Sequence, residues 1–248
     1  MSAPGWLTAR PIAHRGLHDV RAGRVENTLG AARAAIASGF AVECDIQLSS
    51  DSEAMVFHDK TLERLLKAEG AVGEWTADAL RALAFRDSPE HMLTLGELLA
   101  LLAGRVPLIC EIKSRFDGDM RLAQRAAEVA GGYAGPLALK SFDPDVIAHL
   151  REARVERPLG IVAEASYDNV YFNDLSEEQK QTCAAFLHYP RTRPDFLSWS
   201  VADLPHPTPA LLRALRELPV MVWTVRTLED KRRAALWADQ VVFEGTPD

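Results

Sequence analysis

The sequence has little of what marks several classes of protein. Its 248 residues include only three cysteines, Cys44, Cys110 and Cys183, with neither paired spacing nor a Cys/His cluster typical of zinc. An odd, unpaired set argues against a disulfide framework and for a reducing compartment. The first residues lack the apolar core of a secretory signal, and no apolar run approaches the roughly 18 residues that span a bilayer. We therefore expect a cytoplasmic protein with no membrane span.

Positive charge is also scarce. Lysine and arginine number 28 against 35 aspartates and glutamates, so the formal net charge is −7. A surface of this sign does not attract nucleic acid, and we expect no nucleic-acid partner. An anionic substrate would need cations gathered locally in its site. Apolar residues make up 48% of the chain and charged residues 25%, which is typical of a globular protein with a sizeable core. The oligomeric state is not indicated.

Short apolar runs alternate with longer amphipathic stretches along the chain. The runs predict strands at 11–16, 41–48, 107–113, 136–142, 158–163, 196–201, 220–225 and 240–244. The stretches predict helices at 28–38, 94–103, 120–130, 144–152, 177–186, 208–218 and 228–237. Strict alternation predicts a parallel sheet of the α/β class.

Eight strands in a chain of about 250 residues favour closure into a (β/α)8 barrel of the TIM type, with an open doubly wound sheet as the alternative. We predict one such domain over residues 1–248. The segment 59–93 contains no strong strand signal, and we interpret it as a short insertion after the second strand region, lying over one end of the barrel.

Ionisable side chains lie at or near the carboxyl ends of three predicted strands: His14 and Arg15 on the first, Glu43 and Asp45 on the second, and Glu111 and Lys113 on the third. Charged groups are costly inside apolar strands unless they are paired or bind a metal. Because the carboxyl ends of barrel strands form the active-site face, these groups should converge on one mouth.

The alternation of side chains along a strand sharpens this prediction. Glu43 and Asp45 are two residues apart and share a face, whereas Cys44 between them points to the outer helices. Three carboxylates gathered at one point, Glu111 being the third, repel each other strongly. A hard divalent cation would relieve this repulsion, and oxygen ligands suit Mg²⁺ or Ca²⁺.

Two histidines frame the predicted site. His14 ends the first strand, and His58 follows a short extended run at 55–57. Imidazoles suit general acid and base chemistry near neutral pH. Arg15 and Lys113 would supply local positive charge for a phosphoryl group. Lys140 is either a second anion contact or the partner of a barrel carboxylate.

Seven short motifs occur in an order that resembles the glycerophosphodiester phosphodiesterase family. They are AHRG at 13–16, Glu26-Asn27-Thr28, Glu43-x-Asp45, FHD around His58, EIK at 111–113, Ser141-Phe142, and Trp223-Thr224-Val225. No single piece is specific, but their joint order is a strong signal. The chain differs from the usual pattern at Arg64, which is followed by two leucines.

The resemblance implies a role for each matching residue. It implies that His14 and His58 are the acid/base pair and that Glu43, Asp45 and Glu111 are the metal ligands. It also implies that Arg15 and Lys113 contact phosphate, that Glu26 and Asn27 orient the substrate or its ligands, and that Trp223 walls the alcohol side of the pocket. The implied reaction is hydrolysis of glycerophosphodiesters to an alcohol and glycerol 3-phosphate with a divalent cation, directly or through a cyclic phosphate.

Two alternative functions remain at this point. One keeps the site but acts on lipid phosphodiesters, as a lysophospholipase D does. Its apolar rim would come from aromatic side chains, namely Phe142, Tyr167, Tyr171, Phe172 and Trp199. The other is a barrel that binds a phosphorylated ligand without turning it over. Taken alone, each histidine or carboxylate has an ordinary structural explanation, so the prediction rests on their joint occurrence.

Overall fold

The computed structural model describes residues 3–86 and 88–245. In chain order its strands are β1 (Ile12–Ala13), β2 (Ala41–Leu48), β3 (Ala54–Val56), β4 (Leu93–Thr94), β5 (Leu108–Ile112), β6 (Leu137–Ser141), β7 (Leu159–Ala163), β8 (Phe196–Ser200), β9 (Val220–Val225) and β10 (Gln240–Phe243). Its α-helices are α1 (Leu29–Ala37), α2 (Ala77–Ala82), α3 (Leu95–Leu102), α4 (Arg121–Gly131), α5 (Pro144–Glu152), α6 (Glu177–Ala184), α7 (Tyr189–Thr192), α8 (Pro207–Arg216) and α9 (Leu228–Trp237).

Eight of these strands close into a parallel barrel. Their order around it is β1, β2, β5, β6, β7, β8, β9 and β10, and β1 pairs with both β10 and β2. Every pairing between neighbours in this ring is parallel. The predicted TIM-type barrel is therefore confirmed, and the double pairing of β1 excludes the open sheet.

Side chains on each strand alternate between the barrel interior and the helices outside. Outward residues such as Cys44, Cys110 and Leu139 join the main apolar core with residues of the surrounding helices, as predicted for Cys44. Inward residues such as Ile109 and Phe196 form a smaller apolar layer across the barrel. This layer lies on the amino-terminal side of the inward charged residues.

The first strand is shorter than the predicted 11–16, because the backbone turns at Arg15 and Gly16. Both residues have left-handed dihedrals, with φ of 55° and 78°. The amide of Gly16 donates to the carbonyls of Ala13 and Glu43. His14 and Arg15 therefore lie in a tight turn at the barrel mouth and not on the strand itself.

The insertion and the residues just before it contain more regular structure than the sequence indicates. β3, which precedes the insertion, runs antiparallel to the end of β2, and β4, at the end of the insertion, runs antiparallel to β3. The insertion contains α2 and shares an apolar cluster with residues that precede it; this cluster includes Phe57, Leu62 and Phe85. Asp87, within the predicted insertion, lies outside the described residues.

Helix starts follow the expected capping chemistry. Thr94 and Glu97 form a capping box at α3, and Asp143 caps α5 ahead of Pro144. Among the described residues, no helix has both the length and the apolar character needed to cross a membrane.

Candidate active site

Three carboxylates meet at the barrel mouth as predicted. Glu43 and Asp45 come from β2 and Glu111 from β5, and Asp45 stands directly beside Glu111 in the strand register. All three are buried, and each offers one oxygen within 4.8 Å of the oxygens offered by the other two. Hard oxygen donors that converge in this way fit a divalent cation of the Mg²⁺ or Ca²⁺ kind.

Two lysines, Lys140 buried and Lys113 partly buried, neutralise part of this negative charge. Lys140, on β6, places its Nζ 2.9 Å from Glu43 Oε1 and 3.1 Å from Glu111 Oε2. Lys113 places its Nζ 2.7 Å from Asp45 Oδ1 and also contacts Glu111. Of the two interpretations from the sequence, a second anion contact or a partner of a barrel carboxylate, the structure supports the second for Lys140.

The proximity of the lysines shifts the acidity of the carboxyl groups. Burial alone would raise the pKa of Asp45, but Lys113 and other nearby positive charges hold this pKa well below its usual range. For Glu111 the same balance, with Lys113 and Lys140 as the cations, lowers the pKa to about 2. Burial alone would lower the pKa of Lys113, yet the attraction of Asp45 and Glu111 raises it. These groups are therefore charged at neutral pH.

His14 is fixed by a carboxylate from the far end of the chain. Its Nδ1 lies 2.6 Å from Oε1 of Glu244, which follows β10. A carboxylate can only accept, so Nδ1 carries the proton and donates it. The other ring nitrogen, Nε2, lies 3.9 Å from Glu43 Oε2. Arg226 donates two hydrogen bonds to Glu244, at 2.7 and 2.8 Å. His14 therefore presents Nε2 to the carboxylate cluster.

His58 has the same kind of support. Its Nδ1 donates to Oδ1 of Asp59 at 2.7 Å, and the side chain of Gln47 donates to its carbonyl at 2.8 Å. The preceding amide, of Phe57, donates to the carbonyl of Asp45. His58 therefore lies beside the acidic end of β2 and is held there by backbone and side-chain contacts.

Arg15 and Asn27 surround Asp45 and Glu43 from the mouth of the barrel. The amide of Arg15 donates to Glu43 Oε2 at 3.1 Å, and its guanidinium donates to Glu26 Oε1 at 2.7 Å and lies 3.2 Å from Asp45. The Asn27 side chain donates to Asp45 Oδ2 and accepts from the Asp45 amide. Hydrogen bonds and ion pairs thus connect the four predicted residues Arg15, Glu26, Asn27 and Asp45.

Local backbone strain accompanies this arrangement. Arg15 and Asn27 both have positive φ, 55° and 58°, and the amide of Asn27 donates to the carbonyl of Arg15 at 2.9 Å. Such a conformation costs a non-glycine residue on the order of 1–3 kcal/mol and persists only where surrounding contacts enforce it. Here those contacts are with the carboxylates, which ties the strain to the site.

Trp223 lies on another side of the mouth, on β9. Its indole N–H donates to the carbonyl of Ser198 at 3.0 Å, and its ring meets Phe142 edge to face with centroids 5.5 Å apart. Phe142 packs in turn on Phe172. No hydrogen bond among the described residues joins Trp223 to the carboxylate cluster, so its predicted role concerns the wall of the mouth.

The aromatic rim required by the lipid alternative is only partly present. Trp199 is fully buried on the outer side of the barrel, where it stacks on His206, and Tyr167 is also buried. Phe172 lies beneath Phe142 and has little exposed surface. Only Phe142 and the strongly exposed Tyr171 remain of the five predicted residues.

Four supporting residues were absent from the predicted site: Asp59, Arg64, Arg226 and Glu244. Two of them had a readable signal. Glu244 ends a strand that neighbours β1 in a closed barrel, which places it beside His14, and Asp59 directly follows His58. Arg64 stands out in the sequence only for the two leucines that follow it, and neither Arg64 nor Arg226 was assigned to the site because both bind these carboxylates through tertiary contacts.

Comparison with known proteins decides the family. The model of the glycerophosphoryl diester phosphodiesterase family matches residues 14–243, nearly the whole chain. The chain belongs to this family. It is accordingly an enzyme of the phosphoric diester hydrolase class, and its motifs, apart from Ala13 of the first, lie within the matched region.

Individual relatives agree with the family match. A glycerophosphodiester phosphodiesterase from Caldanaerobacter subterraneus is 33% identical over 111 residues, which are 42% of this chain and 44% of that protein. YhdW of Bacillus subtilis, provisionally named as such an enzyme, is 24% identical over 189 residues, 72% of this chain and 73% of its own. An Oleispira antarctica phosphodiesterase, solved with the product sn-glycerol-3-phosphate, shares the fold with a TM-score of 0.77 and 19% identity, over 97% of this chain and 93% of that one.

Proposed function

We propose that this glycerophosphodiester phosphodiesterase family member hydrolyses small glycerophosphodiesters to an alcohol and glycerol 3-phosphate, with His14 and His58 as the acid/base pair. The proposal rests on one observation, that a carboxylate orients each of the two histidines in the same way. Each donates from Nδ1 to a carboxylate, at 2.6 Å for His14 and 2.7 Å for His58, beside the same acidic cluster. An orienting carboxylate fixes the tautomer of an imidazole and leaves Nε2 available for proton transfer.

Glu43, Asp45 and Glu111 would hold the divalent cation. Their buried oxygens converge, since each carboxylate offers one oxygen within 4.8 Å of the oxygens offered by the other two. When bound, an Mg²⁺ or Ca²⁺ ion would offset the repulsion of the carboxylates, polarise the phosphoryl oxygens and add two positive charges to a site of mixed sign. Both ions prefer the oxygen ligands present, so the donor set alone favours neither.

Charge balance supports an anionic substrate. Five cationic side chains are paired with six carboxylates around the mouth: Arg15, Arg64, Lys113, Lys140 and Arg226 with Glu26, Glu43, Asp45, Asp59, Glu111 and Glu244. A divalent cation would change a small negative excess into a small positive one, which suits the single negative charge of a phosphodiester. The site can therefore bind phosphate despite the acidic surface.

Arg15 and Lys113 are the proposed phosphate contacts. Both lie at the mouth beside Asp45, and Glu26 and Asn27 hold Arg15 and Asp45 in place. A guanidinium can grip two phosphate oxygens, and an ammonium acts as a point charge. These contacts orient the scissile P–O bond between the two histidines.

The proposed chemistry is one proton removed and one proton returned. One imidazole, neutral at Nε2, takes the proton of the attacking hydroxyl as the oxygen of that hydroxyl bonds to phosphorus. The other imidazole, protonated, gives a proton to the oxygen of the departing alcohol as the P–O bond breaks. Attack by water gives glycerol 3-phosphate directly, whereas attack by a hydroxyl of the glycerol gives a cyclic phosphate that water must open in a second step. Phe142 and Trp223 would face that alcohol from the β6 and β9 side.

The proposal is for a water-soluble substrate in a reducing compartment. The three cysteines are free and buried, which fits the predicted cytoplasmic location. The lipid alternative loses support because Trp199 is buried on the outer side of the barrel and Tyr167 is buried against Phe172, so neither ring is exposed.

The test is release of glycerol 3-phosphate from glycerophosphocholine, followed by a coupled assay. Protein stripped with EDTA should be inactive, and Mg²⁺, Ca²⁺ or Mn²⁺ should restore turnover. His14→Ala and His58→Ala should each lower kcat by about 10²–10⁴-fold. His91→Ala, an exposed histidine of the insertion, is the control and should leave kcat unchanged. Full activity in either site variant would refute the acid/base assignment, and absence of turnover with every metal would refute the reaction.

A further inference from the structure

Arg64 forms hydrogen bonds with carboxylates in two parts of the proposed site. It lies in the insertion, at the mouth of the barrel, and its side chain is 46% exposed. Its guanidinium donates to Glu26 at 2.7 and 3.0 Å, and to Asp59 through Nε and Nη2. A planar guanidinium with several fixed donors can engage two carboxylates at once, which a lysine cannot reproduce.

Each of the two carboxylates has a second partner that belongs to the site. Oδ1 of Asp59 accepts a hydrogen bond from His58 Nδ1 at 2.7 Å, and Oε1 of Glu26 accepts a hydrogen bond from Arg15 at 2.7 Å. Arg64 therefore reaches the acid/base group through one carboxylate and the phosphate contact through the other. Both carboxyl groups are kept ionised. Burial alone would raise their pKa values, but hydrogen bonds from His58 and Arg64 lower the pKa of Asp59 to about 2, and Arg64 and Arg15 lower the pKa of Glu26.

A purely structural role does not account for this geometry. Ion pairs of half-exposed side chains contribute little to stability, because water screens them and ordering the side chains costs entropy. Arg81 in the same insertion offers a direct comparison: it is 45% exposed and also contacts two carboxylates, Asp78 and Glu97. Neither partner of Arg81 contacts a residue of the proposed site among the described contacts.

We infer that Arg64 is a positioning residue that couples the insertion to the active site, holding the His58 imidazole through Asp59 and the Arg15 guanidinium through Glu26. The inference rests on the proposed function. It assigns the insertion a part in catalysis. The insertion brings the Arg64 guanidinium to the mouth, and this guanidinium sets the position of His58 relative to Arg15. Partners of this outer kind typically affect activity by about 10–100-fold when removed.

The experiment compares Arg64→Met, Arg64→Lys and Arg81→Met in full-length protein with a divalent cation. We expect Arg64→Met to lower kcat/KM by about 10–100-fold. Arg64→Lys should recover only part of this loss, because an ammonium cannot hold both carboxylates in the same geometry. Arg81→Met should match the wild type, and the melting temperatures of the Arg64 variants should shift no more than that of Arg81→Met.

Two further variants test the two contacts of Arg64, with Asp59 and with Glu26, separately. Asp59→Asn interrupts the contact with His58 and should lower kcat, whereas Glu26→Gln interrupts the contact with Arg15 and should weaken binding of glycerol 3-phosphate, measured by calorimetry. Adding Arg64→Met to Asp59→Asn should cause little further loss of kcat, since the two residues act as one unit. Fully additive losses would overturn the inference.

The outcomes distinguish this inference from the proposed function. If the wild type releases no glycerol 3-phosphate with any metal, the proposed function fails. If the wild type is active and Arg64→Met has wild-type kcat and KM, the coupling role of Arg64 alone is overturned. A melting temperature of Arg64→Met far below that of Arg81→Met would also overturn it, because the loss of activity would then follow from unfolding.

Discussion

At the scale of single residues, Lys140 is the least ordinary feature of the barrel. Its ammonium is buried between Glu43 and Glu111, at 2.9 and 3.1 Å. Removing one partner of a buried ion pair leaves the other charge without compensation, which typically costs about 3–5 kcal/mol. We therefore predict that Lys140→Met lowers the free energy of unfolding of metal-free protein by this amount, measured by urea denaturation in EDTA.

The metal dependence of this variant gives a second readout. With Lys140 absent, a divalent cation should raise the melting temperature more than it does in the wild type, because it compensates charge that the lysine otherwise balances. Arg125→Met is the matched control, since Arg125 pairs with Glu53 near the surface and contributes about 0–1 kcal/mol. Equal losses in the two variants would contradict the prediction.

The residue scale also shows what the sequence can predict. The three carboxylates, both histidines and Arg15 were found because polar groups at strand ends in an apolar pattern are conspicuous. Glu244 was not, because it lies 230 residues from His14 and meets it only through barrel closure. Arg64 was missed for a related reason: its two carboxylates belong to different loops whose approach depends on the folded insertion.

The histidine supports give a prediction of their own. Glu244→Gln keeps the size of the side chain but can turn an N–H toward His14 Nδ1, which removes the preference for the Nδ1-protonated tautomer. We expect kcat to fall by about 10–100-fold with a smaller change in KM. Steady-state kinetics would check this, and an unchanged kcat would show that the carboxylate does not orient the ring. Glu229→Gln on the exposed start of α9 is the control.

At the scale of elements, the turn after β1 depends on one glycine. Gly16 has φ of 78°, and a Cβ there would lie 2.8 Å from the carbonyl carbon and the Cβ of Ala31 in α1. Gly118 has φ of 81° but open space around it. Both Ala substitutions incur the left-handed strain, so their difference isolates the clash. We predict that Gly16→Ala is less stable than Gly118→Ala by about 1–3 kcal/mol in urea denaturation, and equal values would contradict the clash.

Element prediction was good where the chain repeats its pattern and weaker elsewhere. The barrel strands and α5 follow apolar runs and proline or Asx caps that are visible in the sequence. Of the two short strands, β3 was predicted only as an extended run at 55–57 and β4 was not predicted, because two or three residues carry too little periodicity and their pairing is antiparallel. β1 was predicted too long, because the turn at Arg15 follows from tertiary contacts with Glu43 and not from local preference.

At the scale of the whole molecule, the barrel separates its stabilising layer from its reactive layer. Below the carboxylates the interior is closed by apolar side chains, and Gly160 provides room for the ring of Phe196, which a Cβ at that position would overlap at 2.3 Å. Above them, charged groups fill the mouth in pairs. The packing that stabilises the fold is thus largely independent of the residues proposed to act, so substitutions at the mouth can change activity with the barrel intact.

Global stability should depend on pH through a histidine remote from the mouth. His188 is buried beside Phe186 and bonded to Thr192, and burial, with the charge of Arg191, lowers its pKa from 6.5 to about 4. Because the unfolded chain binds a proton at higher pH than the folded chain, stability falls as pH drops from about 6.5 toward 4.

We predict that this histidine removes roughly 2–3 kcal/mol of stability between pH 7.5 and 4.5. Asn at position 188 cannot be protonated, and its amide can replace the bond from Nδ1. The free energy of unfolding of wild type minus that of His188→Asn, measured in urea at both pH values, should therefore fall by this amount on acidification. Asp145 and Arg191, the charged groups nearest the ring, are present in both proteins, so their own titration largely cancels. A difference that does not change with pH would show that His188 is protonated equally in the folded and unfolded states.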